Sequence, residues 1–279
     1  MARRLLEAGH HVVGHNRTRA KGDSLVQAGL KWANSPRAVA EASEITFSMV
    51  TDDAALSTVC SGPDGILAGM TAGKIHVDMS TVSPRLVRDL AHQIAAGGSD
   101  MLDAPVSGSV PAAESGTLVI YVGGEASVLE RVRPALEVMG QKIIHVGRNG
   151  QGTSMKIAIN VGIAAQLVPL FEGVLLAERS GIPRSQALQA LLESVAASPA
   201  MKYRGPFILQ PPDEVWFSVA LMQKDIQLAL QLGRELEVPL LSAGMVNELL
   251  NAARAMGHTD RDFSAIFSVL ERLAGGGGG

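Results

Sequence analysis

Gly150-Gln151-Gly152-Thr153-Ser154-Met155-Lys156-Ile157-Ala158-Ile159-Asn160 is where the chain changes character. Before it, short apolar runs of strand length alternate with helical patterns; after it, the strand signals vanish. The stretch opens on glycines and runs into a long apolar helix pattern. Lys156 and Asn160 are four residues apart, about one helical turn, so an ammonium and an amide share one face. A buried lysine is costly unless something uses it. One that loses solvent has its pKa lowered, which suits proton transfer near neutral pH. The bland alternative is a lysine snorkelling at a helix start.

Upstream of this point, residues 11–15, 44–50, 74–79, 100–106, 117–122 and 142–146 read as strands. Residues 20–28, 36–42, 54–60, 84–95 and 126–139 read as helices between them. Such alternation predicts a largely parallel sheet covered by helices on both faces. Downstream, helices are expected at 153–179, 185–196, 219–236, 241–256 and 263–273. The organisation expected is therefore an α/β domain over residues 1–149 and an all-helical domain over 150–273. A flexible glycine tail is expected over 274–279.

A dinucleotide-binding unit opens with a strand, a G-x-G-x-x-G turn and a helix. Residues 1–10 read as that helix already under way, turning at Gly9 into the second strand. The unit is expected to be incomplete, lacking its first strand and glycine loop, with unpaired strand edges beside the gap. After the second strand comes Gly14-His15-Asn16-Arg17-Thr18-Arg19. An NAD-preferring site places an acid here for the ribose hydroxyls, and no acid lies between His11 and Lys21. Asn16, Arg17 and Thr18 are candidate cofactor residues. Arg17 and Thr18 suit a 2′-phosphate, the arginine by its charge-assisted fork, which favours NADP(H) over NAD(H).

The composition narrows the class. The chain has 279 residues and a net charge of −3, so electrostatics give no reason to expect nucleic acid or membrane binding. With 47% hydrophobic and only 4% aromatic residues, the core must be mainly aliphatic. Cys60 is the single cysteine, which excludes an internal disulfide and fits a reducing cytoplasm. Nothing near Met1 reads as a signal peptide. Residues 157–177 are the most membrane-like, but Asn160, Gln166, Pro169 and Glu172 make a helix buried between domains or subunits the better reading. No metal site is expected, because His11 and His15 lie on a strand and no second cluster joins them. There is no G-x-S-x-G nucleophile elbow.

A second segment, Asp103-Ala104-Pro105-Val106-Ser107-Gly108-Ser109, follows a strand-like run and leads into Ala112-Ala113-Glu114-Ser115-Gly116-Thr117. With Asp78-Met79-Ser80-Thr81-Val82-Ser83-Pro84 and the late Lys224-Asp225 pair, the chain carries four ordered signatures. Together they resemble the β-hydroxyacid dehydrogenase family over residues 2–273. That family includes 3-hydroxyisobutyrate dehydrogenases, tartronate semialdehyde reductases and glyoxylate/succinic semialdehyde reductases.

The resemblance implies that residues 1–149 form an α/β Rossmann-like dinucleotide-binding domain, here lacking its first strand and glycine loop, and residues 150–273 an all-α substrate and oligomerisation domain. It implies an NAD(P)-dependent oxidoreductase that interconverts a small β-hydroxyacid and its semialdehyde, with Lys156 as general acid/base. Asn160 would hydrogen-bond the reacting oxygen or the carboxylate. Ser107, Gly108 and Ser109 would cradle the substrate carboxylate, and many relatives have a second glycine where Ser109 stands. Met49 and Val50 would line the dinucleotide, Thr81 would sit near the nicotinamide, and Lys224 would reach the cofactor. The related 6-phosphogluconate dehydrogenases carry a glutamate where this chain has Ile163, which argues against their decarboxylating chemistry. The partners expected are a small carboxylate-bearing aldehyde or hydroxyacid and further copies of the chain, as dimer or tetramer. The rival reading is a catalytically impaired dehydrogenase-like oligomeric module that cannot bind cofactor because the glycine-rich loop is missing.

Overall fold

The computed structural model describes residues 1–212 and 214–275; residues 276–279 of the expected glycine tail lie outside the described residues. The chain forms two compact units, the first spanning Met1–Lys156 and the second beginning at Ile157.

In the first unit, β1 (Val13–Gly14) and β2 (Lys31–Trp32) pair in parallel as a two-stranded sheet. A second sheet holds β3 (Ile45–Ser48), β4 (Ile75–Asp78) and β5 (Asp100–Asp103), all parallel. Then come β6 (Val106–Ser107), β7 (Leu118–Gly123) and β8 (Gly140–Gly147). β7 runs antiparallel to β5 and β6, and β8 lies parallel to β7. Among the described residues no strand bridges β1 and β3, so the sheet comes in two pieces. The run expected as one strand over residues 100–106 is split at Ala104-Pro105, where a proline has no N–H to give a ladder. β2 was not expected, since two residues show no alternation.

The helices begin where the sequence carries caps. Ser35 accepts from the Ala38 N–H at 3.1 Å with Pro36 next in line, and Ser83 accepts from the Leu86 N–H at 3.3 Å ahead of Pro84. Helix Pro84–Ala96 lays Val87, Leu90 and Ile94 on one face of the large sheet, beside Leu56, Cys60 and Met101. Helix Ala126–Met139 lays Leu129, Val132 and Leu136 on the other, against Ile75, Val77, Leu102, Ile120 and Val122. Both faces are thus covered, as the alternation of elements predicts.

Helix Gln151–Arg179 starts in the first unit and continues as the central helix of the second. There Ala164, Leu167, Val168, Phe171 and Val174 are buried with Ile226, Val246, Leu250, Phe263 and Ile266. The partners come from helices Val219–Glu235, Leu241–Ala255 and Ile266–Leu273. Phe171 meets Phe267 edge to face at 5.5 Å. By length and composition the long helix could cross a membrane; its Ala164, Leu167, Val168, Phe171 and Val174 are buried inside the second unit. Helix Pro199–Arg204 was not expected, and its Arg204 is buried against Asp262.

Candidate active site

Asp103 ends β5 and is buried. Its two carboxylate oxygens accept the backbone N–H groups of Gly150 and Thr153, each at 2.8 Å. Donors at a helix start have no partner within the helix, and a carboxylate there also meets the positive end of the helix dipole. Burial raises the Asp103 carboxyl above its ordinary pKa, while the N–H groups of Thr153 and Gly150 pull it back. The close approach requires glycine. A Cβ on Gly152 would lie 2.6 Å from the Asp103 carbonyl oxygen and 2.7 Å from that of Tyr121.

One turn on, the Lys156 Nζ donates to Ser107 Oγ at 3.1 Å, and both side chains are half-buried. Ser107 ends β6, in register with Val119 of β7. Gly108 follows at φ +136°, where a Cβ would sit 2.4 Å from that of Ala112. Ser109 is at φ +58°, the left-handed region that favours glycine, so the serine holds a strained backbone here. The two sequence signatures of the substrate side therefore meet within one unit.

Met49, Val50 and Thr81 lie just beyond the carboxyl ends of β3 and β4, beside the end of β5. That edge is where ligands bind in parallel α/β sheets. Met49 is exposed, while Val50 and Thr81 are half-buried. Asn16, Arg17 and Thr18 are exposed after β1, in the other sheet, and Asn16 Nδ2 donates to the Thr18 carbonyl at 2.8 Å. The neighbouring Arg19 is committed elsewhere, pairing with Asp23 at 2.6 Å and lying over the Trp32 ring at 4.2 Å.

In the second unit Asn160 is buried and its Nδ2 donates to the Asp225 carboxylate. Lys224 Nζ lies 2.7 Å from the other oxygen of Asp225. The structure thus gives Lys224 an ion pair with its own neighbour. Asp103 and Asp225 do not stand out as site residues in the sequence, although both lie inside its four signatures. A single sequence does not distinguish a buried acid from a surface one.

Comparison with known proteins places this geometry. Residues 1–147 match the family described as the NAD binding domain of 6-phosphogluconate dehydrogenase. Residues 150–270 match the NAD-binding family of NADP-dependent 3-hydroxyisobutyrate dehydrogenase. The chain is 36% identical to the 2-hydroxy-3-oxopropionate reductase of Escherichia coli (strain K12), over 98% of this chain and 94% of that protein. It is 35% identical to the 2-(hydroxymethyl)glutarate dehydrogenase of Eubacterium barkeri, over 99% and 92%. Among solved structures it is similar to Psf3 in complex with NADP+ and 2-OPP, with a TM-score of 0.87 and 26% identity over 96% and 95% of the two chains. On these matches, and on a Rossmann-like domain joined to an all-helical one, the chain belongs to the β-hydroxyacid dehydrogenase family of NAD(P)-dependent oxidoreductases.

Proposed function

We propose that the chain interconverts a short β-hydroxyacid and its semialdehyde, with Lys156 moving the proton and NADP(H) as the preferred cofactor. The observation that carries this reading is the 3.1 Å bond between Lys156 Nζ and Ser107 Oγ. It sets a proton donor beside a hydroxyl suited to a small carboxylate. The nicotinamide, when bound, supplies or accepts a hydride at the substrate carbon.

Lys156 gives its proton to the carbonyl oxygen as charge builds there during reduction, and takes one from the hydroxyl during oxidation. Ser107, with the backbone N–H groups of Gly108 and Ser109, cradles the substrate carboxylate. Asp225 holds one N–H of the Asn160 amide. The second N–H is the donor proposed for the reacting oxygen or the carboxylate. Asp225 is thus the residue that orients Asn160, and Lys224 is the cation beside it, with a proposed reach to the cofactor.

The turn after β1 fits the ribose end of a dinucleotide. Arg17 and Thr18 offer a guanidinium and a hydroxyl at the end of β1, and no acid stands in that turn to favour an unphosphorylated ribose. Met49, Val50 and Thr81 lie beyond the carboxyl ends of β3 and β4, in the larger sheet. The Psf3 structure with NADP+ supports the same preference. Residues 150–273 are proposed as the substrate and oligomerisation domain. Leu176 is 74% exposed and Leu241 86%, with Met245 also exposed, and such uncovered apolar side chains support a dimer or tetramer. The lone buried Cys60 is in keeping with a cytoplasmic setting.

Succinic, methylmalonate and tartronate semialdehydes and glyoxylate form the test panel, followed by NADPH absorbance. Lys156→Ala should lower turnover by roughly 10²–10⁴-fold, the usual range for a general acid, while NADPH affinity holds. Unaltered turnover would remove Lys156 from the chemistry. A wild-type chain that shows no saturable NADPH binding would favour the impaired module instead.

A further inference from the structure

The mechanism leaves one buried polar row unused. Thr46, Ser48, His76 and Asp78 occupy alternate positions of β3 and β4, with Thr46 opposite His76 and Ser48 opposite Asp78. All four therefore face one side of the sheet, and all are buried. That side is roofed by Leu56, Cys60, Val87, Leu90 and Ile94. Polar groups under an aliphatic layer destabilise a fold unless they are hydrogen-bonded.

The bonds run in one direction. Ser48 Oγ donates to Asp78 Oδ1 at 2.6 Å, and Ser80 Oγ donates to the same oxygen at 2.7 Å. An ionised carboxylate only accepts, so both hydroxyls spend their proton on it and keep their oxygens as acceptors. Ser48 Oγ then takes the Nε2–H of His76 at 2.9 Å. Ser80 Oγ takes the backbone N–H of Val50 at 2.9 Å. A second stitch follows, from the Ser83 N–H to the Asp53 carboxylate at 2.8 Å. The segment leaving β3 is thereby tied to the segment leaving β4.

We propose that Asp78 is a positioning residue for cofactor binding: through Ser80 it fixes the Val50 amide, and so holds Met49–Val50 in place beside Thr81. This rests on the proposed cofactor role of those three residues. Burial raises the Asp78 carboxyl to about 6, outweighing the opposite pull of the Ser48 and Ser80 hydroxyls. The titratable groups around it leave it without a cation. Burial lowers His76 to about 4, so it is neutral at pH 7. Burial and the Asp78 charge push the Cys60 thiol to about 12. Asp103 on the next strand adds a like charge. Protonation of Asp78 weakens the acceptor that orders the row, so cofactor affinity falls as pH drops through about 6.

The test uses the full chain, with Ser80→Ala, Ser80→Thr and Asp78→Asn. It measures hydrogen exchange at the Val50 amide, NADPH affinity by fluorescence titration from about pH 8 to about pH 5, and turnover at saturating cofactor. Ser80→Ala should speed Val50 exchange and weaken NADPH binding, each by about tenfold, with turnover kept within about twofold; Ser80→Thr should restore both. The wild-type affinity should fall on acidification, and that of Asp78→Asn should be flat. Wild-type NADPH affinity in Ser80→Ala, or a parallel pH profile in Asp78→Asn, overturns the positioning role alone. Absence of saturable NADPH binding to the wild-type chain overturns the cofactor reading and this role with it.

Discussion

Adding one methyl group at Gly152 should disable the enzyme without touching a reacting group. A Cβ there would lie 2.6 Å from the Asp103 carbonyl oxygen, 2.7 Å from the Tyr121 carbonyl oxygen and 2.8 Å from the Gly123 nitrogen. All three are backbone atoms of β5 and β7, so no side chain can swing aside. Ordinary contact begins near 3.4 Å, and the shortest approach falls short of it by about 0.8 Å. The first turn of helix Gln151–Arg179 must back away by about that much. Lys156 sits on the next turn, and its bond to Ser107 at 3.1 Å, lengthened by the same amount, passes the reach of a hydrogen bond. A displacement near 1 Å at a reacting centre costs on the order of 100-fold in rate. Overpacking of this kind costs about 1–3 kcal/mol of stability. Gly152→Ala should therefore lose about 100-fold in turnover, measured by NADPH absorbance, with urea unfolding showing the stability loss. NADPH affinity should stay within about threefold, because Met49, Val50 and Thr81 hang from other strands. Full turnover in a destabilised variant would show that the helix start does not place Lys156. Full turnover and full stability together would refute the close packing itself.

Two further outcomes follow from the charges. Arg17→Asp should move preference from NADPH toward NADH by about tenfold or more in the ratio of affinities; an unchanged ratio would show that the 2′-phosphate is read elsewhere. His76, lowered from 6.5 to about 4 by burial, contributes stability that is present above pH 6.5 and lost as pH falls through 4. Asp78, raised from 3.8 to about 6, works in the opposite sense, stabilising below 3.8 and losing that as pH rises through 6, so the two mask each other in the wild type. His76→Gln keeps a donor for Ser48 and removes the first limb. Its urea-unfolding free energy should gain about 3 kcal/mol on the wild type between pH 7 and pH 4, and a constant difference would mean that His76 titrates normally.

Much of the first unit was legible because its elements carry local signals. Helices Pro36–Ala42 and Ala126–Met139 fall where the apolar spacing puts them, the first behind a serine cap. β7 is different. Its reversal depends on the short helix Ser109–Ser115 that returns the chain, and no residue within β7 records strand direction. In the candidate site, Ser107 and Lys156, which the fold brings into contact, stand out in the sequence because their neighbours are distinctive: a Ser-Gly turn after a strand, and a lysine in an apolar helix. Asp78 was not. The alternation of Ile75, His76, Val77 and Asp78 reads as a strand with one wet face, the common case for half-buried strands. In the fold both faces are covered, and the two polar residues go inside. Which of these holds is decided by helix Pro84–Ala96 packing across the sheet, a tertiary fact absent from the strand. Lys224 stands in a signature that points to the cofactor; its ion pair with Asp225, one residue away, is a second partner that the sequence does not announce.

Asp78 and Asp103 face each other in register at the carboxyl ends of β4 and β5. A parallel strand ends there with its ladder finished and a loop beginning, so the donors just beyond need acceptors that the sheet no longer supplies. A short acid at the last strand position meets that need with two acceptor oxygens and no donor of its own. Asp103 spends them on two N–H groups of one helix start, and Asp78 gathers two hydroxyls on one oxygen, one of which holds the Val50 amide. The two carboxylates thereby fix different things: Asp103 the turn before Lys156, Asp78 the edge that would meet the dinucleotide. Their separate partners make their defects separable. Loss of the Asp103 link should appear in turnover, and loss of the Asp78 link in cofactor affinity. Two adjacent buried acids whose removal gave the same kinetic defect would not be two clamps but a single one, and the division of labour argued from their hydrogen bonds would fail.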